Sequence, residues 1–208
     1  MDALETALAN GAPRVIAILR GLQPGNALEI GEALIEAGIR LIEVPLNSPE
    51  PFQSIALLQR DFGEIAVIGA GTVTAPDAVG ELAATGASLA VTPNTDAVII
   101  RQAIAAGLTI IPGFVTPTEA FVAIAAGARR LKLFPAGSLG TGHFGAVREI
   151  LPRGFGVWAV GGIGADNARS WLDAGAEGIG VGGSVFKPGF TADEVRAKAL
   201  AIVAATGR

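Results

Sequence analysis

One of the three lysines in the chain stands where a cation is costly to place. Lys132 lies inside Leu131-Lys132-Leu133-Phe134, a short and mostly apolar run. At the two-residue period of a strand, Leu131 and Leu133 share one face and Lys132 takes the other. An ammonium buried there loses hydration, so its pKa falls and the neutral amine comes within reach near neutral pH. A desolvated amine of this kind is a Schiff-base nucleophile toward a ketone. The plainer alternative is a strand-end lysine that snorkels to water, but buried charges are rarely kept without a partner or a role. Lys187 and Lys198 fall in a loop and a late helix. Glu43 is the second candidate. In Leu41-Ile42-Glu43-Val44 it shares a face with Leu41, and it is the one carboxylate inside any of the strands predicted below. It is placed to pair with Lys132, or to move protons with a raised pKa; a purely structural ion pair is the alternative.

Arg20 ends the run Ala17-Ile18-Leu19-Arg20, where a guanidinium suits a carboxylate or a phosphate, or is simply solvated. Two glycine clusters, Val160-Gly161-Gly162 and Gly182-Gly183-Ser184, follow late strands. Glycines let backbone N–H groups approach an anion, and Ser184 adds a hydroxyl. His143 is the sole histidine and reads as a surface or loop residue, so no metal site is expected. Phe134 follows the lysine and is placed to wall a carbonyl pocket. Trp158 and Trp171 read as packing residues.

The elements that must position these groups come from a repeat. A helical apolar stretch, a glycine and a β-rich run recur about every 23 residues, with Gly38, Gly86, Gly107, Gly127 and Gly175 in the clear copies and Gly11, Gly63 and Gly154 in weaker ones. The runs that follow (VIAIL, LIEV, IAVIG, SLAV, LTII, RLKLF, VWAV and GIGV) are short and apolar, as in parallel strands buried on both faces. Helices then open near Ser48, Thr74, Asn94–Thr95 and Thr116. Eight βα units predict a single (β/α)8 TIM barrel over residues 1–208, with a short N-terminal helix over 2–10; a doubly wound open sheet is the alternative. In such a barrel the site lies at the C-terminal ends of the strands, where Arg20, Glu43, Lys132 and both glycine clusters fall, and the loops after strands seven and eight bind phosphate in many cases.

Composition narrows the field. The 208 residues carry 15 basic and 19 acidic side chains, net −4, with no basic cluster, which argues against nucleic acid and anionic membranes. The longest uncharged stretch, Gln102 to Thr118, is broken by Pro112, Gly113 and Pro117 and is too short to span a bilayer. There is no cysteine, which removes disulfides and thiolate chemistry. No signal peptide is read at the N-terminus, so a cytoplasmic enzyme is expected. Half the residues are hydrophobic, which hints at surface hidden between subunits.

These residues resemble the class I 2-keto-3-deoxy-6-phosphogluconate / 4-hydroxy-2-oxoglutarate aldolase family over nearly the whole chain. The resemblance is carried by the ILRG region, IEVPLNSP (42–49), IGAGTV (68–73), VTPN (91–94), LKLFPA (131–136), AVGGI (159–163) and GVGGS (180–184). It implies a cofactor-free aldolase. Lys132 would form the Schiff base, Glu43 would move protons, and Arg20 would orient Glu43 or hold the carboxylate. Thr72 and Pro93 would line the pyruvate pocket, and Gly161, Gly162, Gly182, Gly183 and Ser184 would hold the phosphate. A homotrimer is implied as well. The gluconate branch of the family carries Thr-Leu-Arg after the glutamate strand and a threonine before the late glycine pair; here stand Pro45-Leu46-Asn47 and Val160. Both departures favour the galactonate branch, which cleaves 2-dehydro-3-deoxy-6-phosphogalactonate to pyruvate and glyceraldehyde 3-phosphate. Gly183-Ser184 is closer to the gluconate pattern and does not separate the two. The alternatives are the gluconate or 4-hydroxy-2-oxoglutarate activity, a phosphate-binding barrel isomerase or synthase without a Schiff base, and a non-catalytic sugar-phosphate binder.

Overall fold

The computed structural model describes residues 2–207. Its strands are β1 (Val15–Ile18), β2 (Leu41–Pro45), β3 (Val67–Gly71), β4 (Leu89–Val91), β5 (Thr109–Ile111), β6 (Gly113–Phe114), β7 (Arg130–Leu133), β8 (Gly156–Val160) and β9 (Gly178–Val181). All pairings are parallel, in the order β5-β4-β3-β2-β1-β9-β8-β7-β6. The two ends of this ladder, β5 and β6, are halves of one stave with Pro112 between them. The ring therefore closes as the expected (β/α)8 barrel, not as an open doubly wound sheet. The sequence predicts the fifth stave as one run. The structure interrupts it because proline has no N–H for the ladder. The Pro112 carbonyl still accepts from the Lys132 N–H at 2.8 Å, and the Gly113 N–H turns to the buried Thr92 hydroxyl at 3.2 Å.

The helices are α1 (Ala3–Ala9), α2 (Ala27–Glu36), α3 (Pro51–Phe62), α4 (Asp77–Ala84), α5 (Ala97–Ala105), α6 (Pro117–Ala125), α7 (Ala136–Ile150), α8 (Ala168–Asp173) and α9 (Ala192–Thr206), with a 3-10 turn at Pro24–Asn26. The strand period divides the core in two. Val15, Ala17, Ile42, Val44, Leu131 and Leu133 pack in the outer cluster with the helices. Ile16, Ile18, Leu41, Val67, Leu89, Ile111, Trp158 and Val160 fill the barrel interior. Leu41 and the two leucines beside Lys132 thus fall on the faces their spacing dictates. Glu43 and Lys132, in register with them, are buried.

One end of the barrel is sealed. Leu4 of α1 joins the interior cluster and is fully buried. Arg130, at the start of β7, reaches Asp2 at 3.0 Å, Glu5 at 3.6 Å and Glu177 at 3.1 Å, tying α1 under the strands. Trp158 blocks the interior above, its Nε1 donating to Glu177 at 2.7 Å. A Cβ at Gly178 would stand 2.4 Å from the Trp158 ring, so only glycine leaves the indole its place. The opposite end is open.

Several local expectations need correction. Gly63 has φ −60°, so it continues the last turn of α3, unlike Gly38 at φ 93°. Ser48 does not cap α3; Glu50 holds that place, and the Ser48 hydroxyl accepts from the Gly21 N–H at 2.9 Å, joining two loops at the barrel mouth. Thr74 does not cap α4, whose N-cap is Pro76. Asp96, not Asn94–Thr95, caps α5. Thr116 caps α6 in a reciprocal box with Glu119, as the spacing predicts. His143 lies in α7, not in a loop, with Nε2 2.9 Å from the Val115 carbonyl. Trp171 packs edge-to-face on Phe144 at 6.0 Å.

Candidate active site

At the open end lies a cavity of about 1050 Å³. Its wall includes Arg20, Glu43, Lys132, Phe134, Val160, Gly161, Gly162, Gly182, Gly183 and Ser184. The topology explains the convergence: residues just past the ends of β1, β8 and β9, and inward residues of β2 and β7, share one rim. Thr72 and Pro93 are not part of this wall. Pro93 packs its backbone against Gly113, where a Cβ would meet the Pro93 carbonyl carbon at 2.4 Å. Thr72 stands behind Arg20, its hydroxyl a long 3.5 Å from Nη2. It is held at φ 57°, a left-handed conformation that is strained for a β-branched residue.

Lys132 and Glu43 enter from staves on opposite sides of the ring. Lys132 is 6% exposed and Glu43 2%. They feel one another's charge but form no direct ion pair among the described residues. Glu43 Oε2 is buried without a hydrogen-bond partner. Burial pushes the Glu43 carboxyl up from 4.5 to about 7, against the opposing pull of Lys132 and then Arg20. Burial likewise lowers the Lys132 pKa; Glu43 raises it and Arg20 lowers it further. Lys132 Nζ lies 4.8 Å from the centre of the Phe134 ring, on whose face a cation is attracted. The arrangement therefore holds an amine of depressed basicity beside a carboxyl poised between its two protonation states near neutrality.

Arg20 donates from Nη1 to Asn47 Oδ1 at 2.6 Å. The hydrogen bonds of its guanidinium go to Asn47 and Thr72 and none to Glu43, whose carboxyl feels its charge. Asn47, where the gluconate pattern has an arginine, thus steers Arg20.

The glycine end is built from turns. Gly161 and Gly162 have φ 96° and 73°, which side chains rarely adopt. A Cβ on Gly161 would also stand 3.2 Å from the Phe134 ring. The loop carbonyls are engaged: Gly161 O accepts from Gly137 N at 2.8 Å, and Gly162 O from Asn167 Nδ2 at 2.9 Å. The amides of Gly162, Gly183 and Ser184 have no acceptor among the described residues. Ser184 Oγ donates to the Ile163 carbonyl at 2.7 Å, which leaves its lone pairs to accept and its proton already committed. Sequence reasoning missed Asp166, Lys187 and Pro188, which also line the cavity. Lys187 follows the second glycine cluster by three residues, and reading on past Ser184 would have met it. No group of three or more His, Cys, Asp or Glu side chains stands together to hold a metal among the described residues, and no helix among them is long and apolar enough to cross a membrane.

Gly71 shows how tightly the acid is held. A Cβ there would lie 1.9 Å from Glu43 Oε2. Gly71→Ala is expected to swing the carboxylate away and lower kcat by about 10²-fold while the fold survives. Steady-state kinetics beside a thermal melt checks this; wild-type kcat would mean that the carboxylate position is not critical.

A (β/α)8 barrel with a desolvated lysine and a half-titrated carboxyl at its mouth defines a carbonyl-handling barrel enzyme. The comparisons make this specific: residues 8–203 match the family model for KDPG and KHG aldolase, and the chain belongs to that family. It is 43% identical over 191 residues to the 2-dehydro-3-deoxy-6-phosphogalactonate aldolase of Escherichia coli (strain K12), covering 92% of this chain and 93% of that one. A solved structure described as native KDPGal superposes with a TM-score of 0.90 at 43% identity, covering 92% of this chain and 93% of the other. A cube-shaped protein cage, designed by fusing symmetric oligomeric domains, superposes with a TM-score of 0.91 at 42% identity, covering 93% of this chain and 72% of the other.

Proposed function

We infer that the chain is a class I aldolase that cleaves 2-dehydro-3-deoxy-6-phosphogalactonate to pyruvate and D-glyceraldehyde 3-phosphate. The observation that carries this is the pairing of Lys132 and Glu43 across one cavity, each displaced from its ordinary pKa toward neutrality. The similarity to the galactonate enzyme supports the choice of substrate.

Neutral Lys132 adds to the C2 ketone. The carbinolamine loses water as Glu43 gives its proton to the departing hydroxyl, which leaves a protonated iminium on Lys132 and a carboxylate on Glu43. The C4 hydroxyl then gives its proton to Glu43, through water, and becomes the aldehyde of glyceraldehyde 3-phosphate. The electron pair of the C3–C4 bond flows into the iminium and leaves the pyruvate enamine on Lys132. Protonation at C3 and hydrolysis release pyruvate and restore the amine. The Phe134 ring stabilises the nitrogen cation. Arg20, held by Asn47, takes the substrate carboxylate. The amides of Gly162, Gly183 and Ser184 face the phosphate, with Gly161 and Gly182 shaping the loops. We read residues 1–208 as one catalytic unit acting in the cytoplasm within galactonate degradation. We also read it as a homotrimer: the exposed Val98, Phe121 and Val122 on α5 and α6, and the likeness to a cage made from symmetric oligomeric domains, support assembly.

Val160 is the residue we assign to C4 selection. It is 5% exposed and packs on Gly180, whose Cβ would meet Val160 Cγ2 at 2.7 Å. An isopropyl group there offers no hydrogen bond to the gluco C4 hydroxyl. In a coupled pyruvate-release assay the galacto compound is expected to be preferred by about tenfold or more, and Val160→Thr to narrow that preference. Equal rates on both epimers would sink the substrate assignment.

A further inference from the structure

We propose that Lys187 is a specificity-determining residue: its ammonium binds the phosphate of the substrate and makes the enzyme select phosphorylated over unphosphorylated sugar acids. The inference rests on the aldolase reading above and concerns a residue outside the catalytic pair. Lys187 lines the same cavity as the glycine loops. Its stem folds back over them, with Cε 3.4 Å from where a Gly183 Cβ would be, so the ammonium sits one bond further along the open rim.

The backbone that carries it is fixed. Val185 and Phe186 N–H groups both donate to the Gly182 carbonyl at 2.9 Å, closing a helical turn. Phe186 is 5% exposed and belongs to the outer core. Pro188 presses on the loop after β1, where a Cβ at Gly21 would meet Pro188 Cγ at 2.7 Å. The Lys187 carbonyl accepts from Phe190 N at 3.0 Å. The side chain, by contrast, is exposed and has no acidic or aromatic partner among the described residues.

Charge bookkeeping at this end calls for such a cation. The unengaged amides of Gly162, Gly183 and Ser184 offer donors but only partial charge. Asp166 also lines the cavity, its Oδ1 3.0 Å from where a Gly164 Cβ would stand, the same spot that lies 3.2 Å from Ser184 Cβ. A carboxylate so close to the serine loop opposes a dianion. Arg20 and Lys132 act on Glu43 at the reacting end. Lys187 is left as the full positive charge that offsets Asp166 and meets the phosphate.

The test compares wild type, Lys187→Met and Lys187→Arg on 2-dehydro-3-deoxy-6-phosphogalactonate and its dephosphorylated counterpart, with inorganic phosphate as a competitive inhibitor. Lys187→Met is expected to raise KM for the phosphorylated substrate by about tenfold with kcat within about twofold, the worth of one charge-assisted contact. The inhibition constant for phosphate should rise by a similar factor, the unphosphorylated substrate should be unaffected, and Lys187→Arg should recover most of the loss. A KM and a phosphate inhibition constant both within about twofold of wild type would overturn the proposal, as would equal losses on both substrates, the mark of a merely structural residue. Trapping of pyruvate by borohydride in all three proteins separates this failure from failure of the aldolase reading, in which wild type itself would not be trapped.

Discussion

Lys132→Ala is expected to abolish pyruvate release, with kcat/KM falling by a factor on the order of 10⁵ or more, because the variant has no amine to condense with the ketone. Borohydride reduction in the presence of pyruvate should add a stable mass to the wild-type chain at Lys132 and none to the variant. Lys132→Met fills the same space without a charge and should be equally dead, which separates loss of the nucleophile from loss of packing. Lys132 lowers the Glu43 pKa, so both variants should raise it further. An adduct that persists in Lys132→Ala, or turnover within a hundredfold of wild type, would leave the chemistry to another group.

Glu43→Gln is expected to lower kcat about 10²- to 10⁴-fold, the usual span for a proton-transfer group, and to change two pH dependences. In wild type the carboxyl titrates at about 7, so the acidic limb of the rate profile should bend near that value and vanish in the variant. Stability responds with a definite sign. The folded state holds the Glu43 proton more tightly than the unfolded chain, so wild-type stability falls as pH rises from 4.5 through about 7. The accumulated cost above that range is roughly 3 kcal/mol. Glutamine carries no such cost, so the variant should melt higher than wild type at pH 8 and much the same at pH 4. Melting temperatures across that range check it. A variant less stable than wild type at every pH would mean that Glu43 is structural support and not a strained functional group.

The barrel was legible because its cause is local. Each strand is buried on both faces, each helix ends near a glycine, and both regularities repeat along the chain. The inward course of Lys132 and Glu43 follows from the same period of two, since Leu131, Leu133, Ile42 and Val44 must meet the helices. The break at Pro112 was legible in principle, but whether the ladder would bridge it depended on the Lys132 N–H finding the proline carbonyl. Cap positions were less legible: Ser48 has the chemistry of a cap, yet a donor from another loop claims it.

By itself, then, the sequence determined the eightfold architecture, the end of the barrel at which the cavity opens, and the inward course of Lys132 and Glu43, the amine and the carboxyl that reach it from the strands. Tertiary structure decided how these groups meet. The width of the barrel keeps Lys132 and Glu43 apart, so burial dominates their pKa values where a direct pair would have cancelled it. Loops from different βα units decide that Arg20 turns to Asn47 and Thr72, that Pro93 packs on Gly113, and that Lys187 folds back over Gly183. Strand periodicity fixes the direction of a side chain from its own neighbours; its distance from a partner across the ring is fixed only when the whole ring closes.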